Sequence, residues 1–371
     1  MEGAVKVISG RLNPLKLFLV PRELTAMLIA FSKEEGIIGV MKGMKAFTHS
    51  ALMSRLSTDL GYKLDLPVKS RMISTLCEFL FECGYLSRAG VGSYSYSGGQ
   101  SSCALTEAEL TLGSDEKPVL ERHFNGQMLF FTTCLSEAGR FLRGKDSPFT
   151  FTKRWESLWD GFLGNYEFQT LRTILLRLMD LKNCRDYKVL DLCYGLGHGV
   201  AGILEHAPEV SVTALDFSGA YKKAVVDRAR KAAPSSSLEL LDGTWKGFGD
   251  PLPLPDSSVD AVHFTCADPY IPEALREGVY RDIYRVLKKG GTLGVLAWSY
   301  PDKMMTVVTN RWVRRQILAH DFIESVCAGW HGFYGIGETA EMFERIGFAH
   351  KQGLVPLDSN LASALWVMVK E

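Results

Sequence analysis

The sequence predicts a doubly wound, mostly parallel α/β fold in its C-terminal half, preceded by a mostly helical module. From Tyr187 onward, short apolar runs alternate with stretches of helical apolar spacing, as in a parallel sheet with helices on both faces. Between about Arg22 and Gly113, apolar residues mostly recur three and four positions apart, which is typical of amphipathic helices. We therefore expect two kinds of domain in one chain.

The N-terminal segment predicts three helices, over Arg22–Lys33, Thr48–Leu60 and Val68–Cys83. The sequence after the third helix, GYLSRAGVGSYSYSGG, predicts two short strands around a Gly-Val-Gly turn. Three helices followed by such a wing predict a winged-helix module over residues 1–115. A connecting segment over residues 116–185 follows, with a long helix predicted at Pro118–Leu142.

The sheet domain is predicted over residues 186–371. Its strands are the apolar runs YKVLDLCY, VSVTALDF, SLELLDG, VDAVHFTC and TLGVLAW. The first run leads into a glycine-rich turn and then a helix, an arrangement that lets backbone approach a cofactor at the carboxyl edge of the sheet. Asp216 ends the second run, 19 positions after Gly197, a spacing that suits a carboxylate facing ribose hydroxyls. Asp242 and Gly243 end the third run, where an adenine amino group would lie.

The complete run of motifs resembles the class I S-adenosylmethionine-dependent methyltransferases. The matching pieces are VLDLCYGLG, the acidic residues in ALDFS and LELLDG, PLPLPDSSVDAVHF and REGVYRDIYRVLKKGGTLGV. The resemblance covers roughly Tyr187 to Glu371. It implies a Rossmann-like seven-stranded sheet closed by an antiparallel strand pair, which LASALWVMVK would end. It also implies S-adenosyl-L-methionine as the cofactor.

A winged helix, connecting helices and this domain together resemble the small-molecule O-methyltransferases of secondary metabolism. That resemblance implies methyl transfer to a small, apolar or aromatic metabolite. Oxygen is the favoured acceptor atom, with carbon or nitrogen as alternatives. It further implies that the N-terminal module forms a homodimer interface and helps to close the substrate pocket.

Ten residues are expected to contact the cofactor. They are Tyr166, Asp191, Cys193, Gly195, Gly197, Asp216, Phe217, Asp242, Gly243 and Thr265. The backbone of residues 193–197 should face the methionine part, and Asp216 the ribose. Cys193 departs from the family pattern, which usually has glycine there. Because a Cβ costs roughly 1–2 kcal/mol in the left-handed region, we expect Cys193 to keep a negative φ.

The catalytic residues are less well defined, because the histidine that many plant-type relatives carry after the fourth strand is missing from CADPYIPE. Tyr270 falls near that position and Asp268 precedes it by two residues. The insert from Ser299 to Glu338 is the predicted substrate wall and adds His331 and Tyr334 as candidates for a base or an orienting group. Positioning alone can contribute on the order of 7–11 kcal/mol, so a base is needed only for a poor nucleophile. No metal site is expected.

Charge argues against nucleic acid as a partner. The 42 basic and 42 acidic residues cancel, so the chain has no global basic field. The candidate recognition helix, VKSRMISTLCEFLFEC, carries two basic and two acidic residues, which disfavours a DNA-binding regulator. A methyltransferase fold that catalyses decarboxylation, hydroxylation or cyclisation stays open because of the missing histidine. Methylation of a protein or nucleic acid is a third alternative.

Location and assembly follow from apolar patterning and cysteine usage. No stretch approaches the roughly 20 apolar residues of a membrane span, and the eight cysteines form no CxxC pair or zinc-type cluster. We expect a cytoplasmic protein with free thiols. Leu76, Phe79, Leu80 and Phe81 crowd the third helix, and they cannot all face inward on one helical period. This surplus apolar surface predicts a partner, either the connecting helices or a second copy of the chain, and the family resemblance favours the second copy.

Overall fold

The chain forms two compact units in the computed structural model, which describes residues 19–98, 105–243, 245–300, 308–351 and 365–371. The first unit is Met1–Thr150 with Thr306–Trp330, and the second is Phe151–Met305 with His331–Glu371. The predicted connecting segment, 116–185, is thus divided between the units. Most of the predicted substrate wall, Ser299 to Glu338, belongs to the first unit, because Thr306–Trp330 is part of it.

Regular structure fills most of both units. The helices are α1 (Leu19–Glu34), α2 (Ile37–Met44), α3 (His49–Leu60), α4 (Pro67–Glu82), α5 (Glu107–Leu110), α6 (Lys117–Leu142), α7 (Glu156–Leu163), α8 (Tyr166–Met179), α9 (His198–His206), α10 (Lys222–Ala232), α11 (Glu273–Val286), α12 (Val308–Glu324) and α13 (Ile336–Ile346). The strands are β1 (Ala46–Thr48), β2 (Leu86–Gly90), β3 (Ser93–Tyr96), β4 (Lys188–Leu192), β5 (Ser211–Asp216), β6 (Ser237–Asp242), β7 (Val259–Thr265), β8 (Leu287–Leu296), β9 (Ser299–Tyr300), β10 (Tyr334–Gly335), β11 (Phe348–His350) and β12 (Leu365–Lys370). Among the helices in the described ranges, none is long and apolar enough to cross a bilayer.

A small antiparallel sheet in the first unit joins β2 and β3 as a hairpin and adds β1 beside β3. The Thr48 hydroxyl accepts a hydrogen bond from the Ala51 amide at 3.3 Å, so α3 begins directly after β1 with a side-chain cap. α3 ends at Gly61, whose φ of 69° is the left-handed conformation common at helix ends. Helices α1, α3, α4 and α6 and strands β2 and β3 follow the predicted order, whereas α2 and β1 were not predicted.

Helix α12 is buried on all sides from Arg314 onward, within the first unit. Its charged side chains are paired there. Arg314 Nε donates to Glu82 Oε1 at 2.8 Å, and Arg71 binds both carboxylate oxygens of Asp321. Because a buried unpaired charge would cost several kcal/mol, these pairs are what allow so polar a helix to fill a core.

Helix α12 also covers the apolar face of α4. Leu76, Phe79 and Leu80 are 0% exposed within the single chain, and only Phe81 is half-buried. The surplus apolar surface inferred from the sequence is therefore covered inside the unit. The sequence argument for a second copy on that face was therefore wrong, because α12 covers the face. A local sequence pattern could not show this, since α12 lies more than 200 residues further along the chain.

The second unit contains a mostly parallel seven-stranded sheet, which confirms the predicted fold class. The strand order is β11-β12-β8-β7-β4-β5-β6. Strands β4 to β8 are parallel, and β12 pairs antiparallel with both β8 and β11. The chain winds outward from β4 to β6 and then returns to the other side of β4. The crevice between β4 and β7 is thus the topological switch point, where such sheets bind their ligands.

Packed aromatic rings support the sheet beneath this crevice. The Phe264 and Tyr280 centroids are 6.1 Å apart and those of Tyr280 and Phe343 are 5.0 Å apart, both edge-to-face. All three side chains are 0% exposed. They join β7 to α11 and α13 and hold the loop that follows β7 in place.

Candidate active site

The glycine-rich turn after β4 leaves the sheet through three residues with positive φ. These are Cys193 at 60°, Gly195 at 49° and Gly197 at 83°. The predicted negative φ for Cys193 was therefore wrong. Its amide donates to the carbonyl of Leu215 at 2.7 Å, so the backbone stays bonded to β5 while it turns sharply toward α9. That turn requires a left-handed residue, whatever the side chain.

Two glycines allow parts of the site to approach closely. A Cβ on Gly197 would lie 2.8 Å from Val225 Cα, and one on Gly199 would lie 2.7 Å from both carboxylate oxygens of Asp191. These distances are too short for any other residue. The result is a tight cradle of backbone at the N-terminus of α9, backed by a buried carboxylate.

Asp216 ties this cradle to the tip of β5. Its Oδ2 accepts a hydrogen bond from the Gly195 amide at 2.9 Å, and its Oδ1 accepts one from the Ser218 amide at 2.8 Å. These two bonds fix the orientation of the Asp216 carboxylate at the edge of the cradle. The predicted contact between Asp216 and a ribose stays a prediction.

A buried pair that the sequence did not reveal lies behind the cradle. His263 Nδ1 donates to Asp191 Oδ1 at 2.7 Å, and both side chains are almost completely buried. Asp191 Oδ2 and His263 Nε2 have no hydrogen-bond partner among the described residues. Unsatisfied buried polar atoms are unusual and mark strain, function or an absent ligand. The available signal was a histidine inside the apolar run of β7.

The two cysteines at the crevice share one backbone geometry. Cys266 follows β7 with a φ of 62°, and its amide donates to Leu296 O at 2.7 Å. Cys266 after β7 and Cys193 after β4 thus share a left-handed backbone whose amide bonds to the neighbouring strand. Burial raises the pKa of Cys193 well above its ordinary value, and the Asp216 and Asp191 carboxylates raise it further. The thiol of Cys193 is therefore protonated at neutral pH and unsuited to act as a nucleophile.

An aromatic wall faces the tips of β5 and β7 within the second unit. Phe151 is its centre, with ring centroids 4.7 Å from Trp159, 6.4 Å from Phe217 and 5.2 Å from Tyr270. The wall thus connects Phe217, which was predicted to contact the cofactor, with Tyr270, which was predicted to be catalytic. Phe151 itself was not predicted, because the short segment SPFTF shows neither helical nor strand periodicity long enough to assign a role to its phenylalanines.

Helix α7, which carries Trp159, is latched to the cradle through Asp160. His198 Nε2 and Arg228 both bond to Asp160 Oδ1, the first at 2.9 Å. The hydrogen bond from His198 holds the pKa of Asp160 below its ordinary value, and Arg228 adds to this. Burial lowers the pKa of His198. His198 thus has a partner on α7, which the sequence did not indicate.

Asp268 lies in a buried ion pair immediately after β7. Arg276 donates to its two oxygens at 3.0 and 3.2 Å, and the Tyr280 hydroxyl donates to Oδ1 at 2.6 Å. Asp268 and Arg276 are 3% and 4% exposed. The guanidinium neutralises the carboxylate and bonds to both of its oxygens. These contacts explain Asp268 as a structural group that holds the loop after β7 to α11. Its catalytic role stays a prediction that these contacts disfavour.

The other three catalytic candidates lie around the same loop. The Tyr334 ring lies 3.9 Å from the Arg276 guanidinium, and its hydroxyl donates to Ile271 O at 2.6 Å. The His331 amide donates to Pro269 O at 2.8 Å, which places His331 beside Tyr270. The structure thus brings all four residues together. Tyr334 is committed to packing, whereas His331 is exposed and Tyr270 is half-buried.

The remaining predicted cofactor residues lie at the carboxyl edge or on the adjoining helix. Thr265 is the last residue of β7, and Gly243 follows β6 with a φ of 70°. Asp242 pairs with Asp216 through the strand register, and its side chain lies outside the described residues. Tyr166 begins α8, after Asn165 caps the helix by accepting from the Phe168 amide at 3.0 Å.

Comparisons with known proteins agree with this geometry. Residues 189–291, which include β4 and the cradle, match the family model described as a methyltransferase domain. A sterol 24-C-methyltransferase of Neurospora crassa is 37% identical over 118 residues, which cover 32% of this chain and 29% of that protein. The chain spans less than half the length of the curated sterol methyltransferases that it matches.

Solved structures match nearly the whole chain at low identity. The CurJ carbon methyltransferase covers 99% of this chain and 96% of its own, with a TM-score of 0.62 and 12% identity. An O-methyltransferase family 2 protein from Planctomyces limnophilus, in complex with apigenin, covers 96% and 95%, with a TM-score of 0.51 and 13% identity. At such identities the likeness shows the fold. The family model thus identifies residues 189–291 as a methyltransferase domain, and the sheet around them has the class I methyltransferase fold.

Proposed function

We propose that the protein transfers the methyl group of S-adenosylmethionine to a small, apolar or aromatic molecule. The observation that carries the proposal is the cradle of residues 193–197 joined to Asp216 at the switch point of the sheet. This is where the fold offers backbone amides, a carboxylate and a helix N-terminus together. The matching family model and the solved methyltransferase folds support the same conclusion.

The residues present fit the cofactor. Glycine at 197 and 199 keeps the cradle narrow, and the Gly195 and Ser218 amides hold the Asp216 carboxylate at its edge. Asp191 Oδ2 is a buried, unsatisfied acceptor beside the helix start. We propose that Asp216 holds the ribose, that residues 193–197 hold the methionine part, and that Phe217 covers the adenine. Tyr166, Thr265, Asp242 and Gly243 would complete the site.

The bound cofactor supplies an electrophilic methyl group on a sulfonium. What the chain contributes is position, because an in-line displacement requires the acceptor atom to be aligned and close. Phe151 stacks on the buried Trp159 and contacts Tyr270 edge-on, which forms an apolar wall at the tips of β5 and β7. Such a wall orients a flat substrate by packing and excludes water from the reacting atoms.

We propose that His331 or Tyr270 receives the acceptor's proton, directly or through water, because their backbones adjoin and their side chains are not fully buried. Asp268 and Tyr334 would instead hold the loop. An acceptor of moderate acidity, such as a phenol or a carbon flanked by carbonyls, suits this weak base.

Oxygen is our preferred acceptor atom, as the family resemblance implies. Carbon is a second candidate, because the solved fold with the higher TM-score of the two compared above is named a carbon methyltransferase. A phenol and its ring carbon share one flat apolar shape, so the same wall serves both. Which atom is methylated depends on which one lies in line with the bond between the sulfur and the methyl carbon.

The test uses the full chain with S-adenosylmethionine carrying a ¹³C-labelled methyl group and a panel of phenols, quinones and tetrapyrroles. We expect S-adenosylhomocysteine together with a substrate 14 mass units heavier, apart from the label, as one methyl replaces one hydrogen. The ¹³C chemical shift separates O-methyl from C-methyl products. Asp216→Asn is the matched inactive control. Cofactor turnover without a labelled product would favour the alternative chemistry, and no binding of the cofactor would refute the proposal.

We also propose that the first unit contains a winged helix and that the protein forms a cytoplasmic homodimer. The order α2-β1-α3-α4-β2-β3 and the sheet order β1-β3-β2 support the winged helix. Leu129 is 56% exposed and Val91 is fully exposed, and apolar side chains of this kind favour an interface. Light scattering at micromolar concentration tests the dimer. A monomer there, or tight salt-sensitive binding of duplex DNA, would contradict the proposal.

A further inference from the structure

A cavity of about 310 Å³ opens in the first unit, between the start of α4 and the loop after α6. Its wall combines three lysines, Lys63, Lys69 and Lys145, with the apolar side chains of Leu66 and Phe141. It is much larger than one water molecule, whose share of liquid volume is about 30 Å³. Nothing in the proposed methyl transfer uses it.

Lys69 is the unusual member of this wall, because it is only 2% exposed. Lysine is almost never fully buried unless its charge is paired. Its Nζ lies 4.8 Å from the centroid of the Phe141 ring, and no carboxylate in the described part of the chain lies within ion-pair distance of it. Burial lowers the pKa of Lys69, and the more distant carboxylates of Asp65 and Asp146 raise it in part. The buried ammonium thus lacks the hydrogen-bonding anion that would normally accompany it.

The backbone beside Lys69 favours an anion as well. α4 has 16 residues, begins at Pro67, and its N-cap residue Leu66 offers no side-chain oxygen to the first amides. The Lys69 and Ser70 amides already bond to Leu66 O, so the helix offers its dipole rather than these amides, and its first turn holds no acidic residue. An oxyanion at this position would gain from both the dipole and the lysines.

We propose that this cavity is a binding site for a phosphate monoester whose organic part is apolar. Lys69 would bind the phosphate oxygens from below, with Lys63 and Lys145 at the exposed rim. Lysine is a common phosphate ligand that acts as a point charge. Phe141, Leu66 and the volume beyond one oxyanion would accommodate the organic part. Asp65 and Asp146 at the rim oppose the anion and keep its affinity moderate.

The experiment measures binding of inorganic phosphate and of phenyl phosphate to the full chain by calorimetry, at constant ionic strength and pH 7.5. We expect saturable binding of both, with phenyl phosphate tighter. Lys69→Met keeps the buried stem and removes the charge, so both affinities should fall about tenfold or more. Leu66→Ala should weaken phenyl phosphate and leave inorganic phosphate unchanged.

Two further variants separate a real site from a general loss of folding or charge. Asp146→Asn removes a repulsive carboxylate and should tighten phosphate binding, a change that damage to the fold would not produce. Lys42→Met removes an exposed lysine of the same unit, outside the cavity, and should change nothing. The proposal is overturned if neither probe binds saturably, if Lys42→Met weakens binding as much as Lys69→Met, or if inorganic phosphate binds as tightly as phenyl phosphate.

Discussion

Asp216 and Asp268 are both buried aspartates at the carboxyl edge of the same sheet, and their environments differ. Asp216 accepts two backbone amides, neither of which carries a net charge. Asp268 accepts a guanidinium and a tyrosine hydroxyl, both buried with it. The Gly195 and Ser218 amides thus fix the orientation of the first carboxylate. The second has its charge neutralised by Arg276 inside the protein.

The difference shows that position at a sheet edge does not by itself make a carboxylate functional. Arg276 lies eight residues after Asp268 on α11, and its guanidinium donates to the Asp268 carboxylate and neutralises its charge. Asp216 instead accepts the Ser218 amide in the turn that follows it. The buried guanidinium partner is what makes Asp268 a structural group.

The largest effect should come from breaking the Asp268 pair. Asp268→Asn leaves the Arg276 guanidinium buried without a counter-charge, so the free energy of unfolding should fall by about 3–5 kcal/mol. Urea denaturation followed by circular dichroism measures this. Arg281→Gln, which breaks the exposed pair with Glu277, is the control and should change little. A stable Asp268→Asn protein without activity would restore the catalytic interpretation.

The next effect should appear in cofactor affinity. Asp216→Asn removes the charge that ties the cradle and would face the ribose, and each charge-assisted bond is worth about 1.5–3 kcal/mol. We expect at least tenfold weaker binding of S-adenosylhomocysteine by calorimetry, with a smaller loss of stability than in Asp268→Asn. Unchanged affinity in a folded variant would mean that Asp216 serves only the loop.

A smaller effect concerns the backbone that Asp216 holds. Cys193→Gly removes a Cβ from a left-handed residue, which relieves roughly 1–2 kcal/mol but adds freedom to the unfolded chain. The net stabilisation should be up to about 1 kcal/mol by thermal unfolding. Cys184→Gly is the control, because Cys184 is exposed and has no positive φ. Equal destabilisation in both variants would show that the Cys193 side chain contributes packing that outweighs its strain.

The smallest effect should be a pH dependence confined to the latch at the cradle. Burial lowers the pKa of His198 below its ordinary 6.5, so the unfolded chain binds this proton more readily than the folded one. Stability should therefore decrease as the pH falls through about 6.5, by at most about 1.4 kcal/mol per pH unit for this group. Urea titrations at pH 7.5 and 5.5 measure the difference. His198→Asn should reduce it, and an unaltered slope would assign the effect to another group.

Much of the site could be predicted because it is local in sequence. The turn at residues 193–197, the acidic end of β5 and the alternation of strands and helices are each contained in a few neighbouring residues. The prediction failed where a distant residue decides the outcome. The φ of Cys193 depends on a bond to Leu215, and the role of Asp268 depends on Arg276 and Tyr280. Phe151 gained its importance only from partners on three other segments.

The burial of α12 in the first unit has a consequence for how the protein is made. The core of that unit includes residues 306–330, so it cannot be completed when the first 150 residues leave the ribosome. At about 5–20 residues per second, the nascent chain waits roughly 10–40 s for the missing helix while the apolar face of α4 stays open to solvent. During that interval residues 151–305, which form most of the second unit, are being synthesised. We therefore expect holdase chaperones to bind the nascent N-terminal segment, and translational pausing before residue 330 to decide how much of the protein escapes aggregation.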